Sequence, residues 1–133
     1  MHGLHDYQKA QQYFTKAVRI APIAGPAHGQ LGKAYWQLKE YPKALKEFNE
    51  AIRLDPEKKS AYLYNLGLVE RELGHVPEAI TAFEKAIAAD SRFALPHGGL
   101  AMIYLQLRPD QTRARYHARL FQELSQNPSI SSR

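Results

Sequence analysis

The 133-residue chain contains no cysteine. Disulfides, thiolate metal sites and cysteine nucleophiles are thereby excluded together, and with them several enzyme classes. No apolar run approaches the ~20 residues that carry a helix across a bilayer, so membrane insertion is not expected. The opening residues Met1-His2-Gly3-Leu4-His5-Asp6 lack the basic start and apolar stretch of a secretory leader, and a cytoplasmic location is the expectation.

Charge of one sign is not gathered in one place either. The net charge of +5 is dispersed along the chain, and its one local cluster, Arg108, Arg113, Arg115 and Arg119, reads as a solvated helix face. Nucleic-acid binding, which rests on a contiguous basic surface, is therefore not expected. A convergent catalytic set is also missing. His2 and His5 stand three apart with no third ligand, His28 and His97 fall on core stripes, His75 lies in a turn, and His117 sits among arginines. Neither an enzyme nor a bound metal or cofactor is expected from these residues.

What the chain does have is a period. Ala10, Ala44 and Ala79 lie 34 and 35 residues apart, and the same register aligns Phe14 with Phe48 and Phe83, and Ala17 with Ala51 and Ala86. A second set repeats upstream: Leu31, Leu66 and Leu100; Gly32, Gly67 and Ala101; Leu38, Leu73 and Leu107. Within each unit, apolar and small residues recur at steps of three and four, the signature of two amphipathic helices, while strand-like alternation is absent. Lys39-Glu40-Tyr41-Pro42 makes the turn between them, with Pro42 suited to the first helical position, and Pro77 repeats that placement. Ala21-Pro22 and Asp55-Pro56 end helices, because proline disfavours helical geometry in the residue before it. Gly32 and Ala44 are expected where the paired helices cross, with Phe48 filling the space beside them.

A unit of this length carrying Leu31-Gly32, Tyr35, Ala44, Phe48, Ala51 and Pro56 resembles the tetratricopeptide repeat. The resemblance implies an all-α, right-handed α-solenoid of about three and a half repeats in a single domain, residues 1–124, followed by a flexible tail, 125–133. Residues 4–22 would be the second helix of an incomplete repeat, 25–58 and 60–93 full repeats, and 94–124 a divergent repeat or cap whose outer arginines face water. The chain departs from the family pattern in several places. His28, Leu63 and His97 hold the signature tryptophan position, Glu70 replaces a tyrosine, and Ser91 replaces a proline. The chain opens at what should be an inter-helix turn, Leu4-His5-Asp6-Tyr7, so Tyr7, Phe14 and Val18 are expected to lie uncovered and available for self-association.

Function follows from the stacking. Helix pairs that turn slightly at each step present their first helices on a concave surface. At 100 degrees per residue, Gly29, Lys33 and Trp36 point roughly 80 to 140 degrees off the core stripe of His28, Leu31 and Tyr35. The same offsets select Tyr64, Leu68 and Arg71, then Gly98, Met102 and Leu105, with Asn65 and Gly99 alongside. The resemblance implies that these positions line a ligand groove. A merely solvated face would be rich in Glu and Lys rather than Trp, Tyr, Leu and Met, so the expectation is a scaffold or adaptor that binds a peptide or helix of a protein partner. Of the family's carboxylate-clamp positions only Asn65 matches, with Gly29 and Gly99 where basic side chains would be needed. The alternative is a structural module that forms homo-oligomers through its first helix.

Overall fold

Prolines and two left-handed turns divide the chain. Pro26, Pro42, Pro77 and Pro96 are each the second residue of a helix, where a missing amide hydrogen costs no intrahelical bond. The computed structural model describes residues 2–126 and builds them into seven α-helices without a strand among them: α1 (His2–Ile20), α2 (Gly25–Gln37), α3 (Tyr41–Leu54), α4 (Lys59–Glu72), α5 (Val76–Ala89), α6 (Leu95–Met102) and α7 (Gln111–Gln126). The expected turn at Leu4–Tyr7 is instead helical, part of a continuous α1 that no proline interrupts. Ser125 and Gln126, assigned to the tail from their polar surroundings, still belong to α7; the rest of that segment, 127–133, lies outside the described residues.

The turns after α2 and α4 are equivalent. Lys39 (φ 62) and Gly74 (φ 79), 35 residues apart, both adopt the left-handed conformation. In each, the next amide reaches back five residues, Glu40 N–H to the Tyr35 carbonyl at 2.8 Å and His75 N–H to the Glu70 carbonyl at 2.9 Å, closing the last helical turn. The third pair solves the same problem differently. Arg108 stands at the equivalent position with φ −140, and the chain leaves α6 through a widened π-turn over Ile103–Leu107. Asp110 then accepts the Arg113 amide at 3.1 Å and starts α7.

The core follows the repeat. Phe48 and Phe83 are fully buried, with Ala44, Ala51, Ala79 and Ala86 around them. A Cβ on Gly32 would stand 2.8 Å from the Phe48 ring, and one on Gly67 2.7 Å from the Phe83 ring, so each glycine admits the phenylalanine of its own helix pair. Gly99 of the following pair also meets Phe83, its absent Cβ only 2.8 Å away.

Helix contacts give the stack its curvature. Among the described residues α2 touches α4 and α4 touches α6, whereas α3 and α5 do not meet. First helices drawn together and second helices held apart produce an α-solenoid concave on the α2, α4, α6 side.

Candidate binding groove

The concave side is positioned by glycine and aromatic packing. On α2, Gly25 and Gly29 lie one turn apart, Gly25 against the end of α3 and Gly29 against the next helix pair. A Cβ on Gly25 would strike Asp55, and one on Gly29 would approach the Tyr62 ring to 2.5 Å. Tyr62 donates to Asp55 Oδ2 at 3.1 Å, and burial together with that carboxylate pushes its phenol up to about 12. Gly29, expected in the groove, is therefore buried in this junction: the neighbouring helix, not a ligand, requires its missing side chain. Trp36 is half buried and packs against the cluster of Ala44, Phe48, Tyr62 and Val69, so its ring is largely committed to the fold. Lys33 is exposed and Asn65 half buried, and neither lines the two cavities that lie farther along the concave side.

Further along the solenoid the predicted positions converge. Tyr64, Leu68, Arg71, Gly99 and Met102 line one cavity of about 420 Å³ between α4, α6 and α7. Tyr64 is held by Phe83 and Phe93, with ring centroids 5.7 and 5.6 Å away, and burial raises its phenol above the ordinary range. Arg71 is the one charged side chain of the lining. A second cavity of about 380 Å³ shares Arg71 and Met102 and continues toward Gln106 and Leu107. Leu105 is not part of either cavity and is 61% exposed. The reason is the π-turn, which breaks the 100-degree spacing on which its placement was reckoned.

Four lining residues escaped the groove expectation: Leu95, Ala101, Ala118 and Phe121. Two of them belong to α7, whose repeat register is lost at Arg113, so only an apolar stripe on that helix, Ala114, Ala118 and Phe121, could have signalled them. Gly98 owes its place to the same helix, since its absent Cβ would lie 3.1 Å from the Phe121 ring.

Two histidines at equivalent repeat positions brace the first helices in opposite ways. His28 Nδ1 meets Glu47 Oε1 at 2.7 Å and its Nε2 meets the Pro22 carbonyl at 2.8 Å. Both partners accept, so both ring nitrogens must donate, as only the imidazolium can. Burial opposes that charge, but Glu47 and the carbonyl outweigh it and raise the His28 pKa. His97 instead meets His117 of α7, Nδ1 to Nδ1 at 2.9 Å, one ring donating and the other accepting. Burial lowers the His97 pKa, and burial, the His97 ring and Arg113 hold His117 at about 4.

Stacked helix pairs, glycine-seated phenylalanines and a concave apolar cavity define a helical-repeat scaffold. The tetratricopeptide repeat profile matches residues 24–92, 61–128 and 2–23, and the chain belongs to that family. It is 32% identical over 117 residues to Superkiller protein 3 of Schizosaccharomyces pombe, covering 87% of this chain and 8% of that protein. It is 28% identical over 134 residues to Heat shock protein STI1 of Saccharomyces cerevisiae, covering 95% and 23%. The chain thus spans less than a quarter of the length of either relative. In fold it is similar to a MamA RS-1 double mutant, at TM-score 0.82 and 24% identity over 96% of this chain and 70% of that one. A MamA fragment from Desulfovibrio magneticus RS-1 gives TM-score 0.74 at 22% identity, over 97% and 70%. A protein-interaction module is what this family membership supports, and no described helix is long and apolar enough to cross a membrane.

Proposed function

We propose that the chain works by binding, not catalysis, and holds a peptide or short helix of a partner protein on its concave face. The cavity between α4, α6 and α7 receives an apolar anchor side chain, and Arg71 meets an acidic group next to it. The observation that carries this reading is the lining: Met102 and Leu95 are 44% and 45% exposed and Phe121 is also open to solvent, yet the three converge on one concavity with a single cation. The test is selection of peptides from a displayed random library. Enriched peptides should combine a large apolar residue with Asp or Glu, and Arg71→Glu should weaken them at least tenfold while Met102→Arg abolishes capture. Enriched peptides indifferent to both substitutions would refute the proposal.

Self-association is the second reading, and α1 favours it. Leu4, Tyr7 and Tyr13 on this helix are exposed, and Ile20 is 85% exposed, although Phe14 and Val18 are half buried. A mass that stays monomeric by light scattering at tens of micromolar would remove this reading.

A further inference from the structure

The splay that draws the first helices together opens a groove on the opposite side. Between α3 and α5, which do not meet, lies a cavity of about 800 Å³ floored by α4. Its apolar surface comes from Leu63 and Leu66 of α4, Ile52 of α3 and Ala82 of α5, with Asn49 and Thr81 as polar points on the two walls. None of the residues of the concave site contributes to it.

Charge gives this groove a direction. α4 and α5 are joined by a short turn and run antiparallel, which brings the start of one beside the end of the other. Lys59 and Lys85 consequently lie toward one end of the groove, and Glu70 and Glu78 lie at the other. Lys59, Lys85 and Glu78 are exposed, and Glu70 is partly open while accepting from His75 Nδ1 at 2.7 Å. The span from Lys59 to Glu70 is about 16 Å along α4, the length of three helical turns.

We propose that this outer groove docks an amphipathic helix of a partner protein, acidic in its first turn, basic in its last, and apolar on the face between. Such a helix lies parallel to α4 and antiparallel to α3 and α5. Its acidic turn sits over Lys59 and Lys85, and its basic turn over Glu70 and Glu78. The same direction places the positive N-terminal pole of the docked helix beside the negative C-terminal poles of α3 and α5, which end at Leu54 and Ala89. Acidic first turns and basic last turns are also the arrangement that stabilises a helix by itself, so the groove selects the charge polarity that helices favour. With the concave cavity on the other side, the chain becomes a two-faced connector that holds two ligands without competition.

The probes are two fluorescein-labelled 14-residue helical peptides with the same apolar stripe, one with Glu in the first turn and Lys in the last, the other with the charges exchanged. Fluorescence anisotropy on the full chain should show the first binding several-fold tighter, because the exchanged peptide keeps its ion pairs only by docking end for end, which sets its poles against those of α3 and α5. Lys59→Glu with Lys85→Glu, which makes both ends of the groove acidic, should remove that preference, and these exposed positions leave the fold intact by circular dichroism. Arg71→Glu, which tests the concave site, should change nothing. Equal affinity for both peptides, binding to neither, or loss of binding through Arg71→Glu would each overturn the proposal. So would a concentration-dependent mass that the double lysine variant abolishes, because the occupant would then be a second copy.

Discussion

Acidification should loosen one end of this solenoid and tighten the other. His97 and His117 share a 2.9 Å hydrogen bond across α6 and α7, which requires the accepting ring to be neutral and breaks when both are protonated. The surroundings disfavour a proton on His117: burial among Tyr104 and Tyr116 strips water from the charge, and His97 and Arg113 oppose it. In the unfolded chain a histidine titrates at its ordinary value of 6.5, whereas folding holds His117 at about 4. As pH falls through 6.5 the unfolded state takes up protons that the folded state refuses, so stability declines, and it levels off only below the folded pKa. For that pair of values the loss between pH 7.5 and pH 5 is about 2 kcal/mol, an upper bound because His117 keeps some contact with water. His97 shifts in the same direction. His28 has the opposite sign: its raised pKa contributes stability that is fully present below 6.5 and lost as pH rises through the folded value. Whole-chain unfolding mixes the two, so the measurement is amide hydrogen exchange resolved by segment. Protection free energies, corrected for intrinsic rates, should fall in α6 and α7 between pH 7.5 and pH 5 and hold or rise in α2 and α3. Replacing His97 and His117 with Leu, the residue that Leu63 supplies at the matching position of the middle repeat, should remove the acid-sensitive loss. Unchanged protection in α6 and α7, or the same loss in the double Leu variant, would refute the reasoning.

Two further perturbations test the fold. Lys39→Gly should stabilise the chain by about 0.5–1 kcal/mol because it relieves a side chain at φ 62, and Gly74→Ala at φ 79 should destabilise it by about 1 kcal/mol, both read by urea unfolding. Gly67→Leu should cost about 1–3 kcal/mol or more, since its Cβ alone already intrudes on the Phe83 ring at 2.7 Å; unaltered unfolding would mean that the ring can move aside.

The helix pairs were legible because the residues that seat them repeat. Gly32, Ala44 and Phe48 announced the crossing of α2 and α3, and Gly67, Ala79 and Phe83 that of α4 and α5. The limits of legibility are physical. Periodicity locates a face but not its neighbour, and Gly29 and Trp36 therefore looked free when Tyr62 and the Phe48 cluster occupy their surroundings. The reckoning of 100 degrees per residue held through α4, where Tyr64, Leu68 and Arg71 do converge, and failed in the π-turn that carries Leu105 away. Pairing between distant side chains left no local trace, and the partnership of His97 with His117 was invisible for that reason. The outer groove was equally hidden, because it is defined by the separation of α3 and α5 rather than by any motif.

Phe83 has a consequence for how such a chain can be rebuilt. Its ring is seated from both sides, by Gly67 of its own helix pair and by Gly99 of the next. The two repeats therefore share one socket and cannot be exchanged as separate cassettes. A transplanted unit 60–93 would present its phenylalanine to a neighbour that must also lack a Cβ at the facing position. The natural unit of recombination at this end of the protein is the two-repeat block, and the same coupling should make α4 through α7 fold and unfold together.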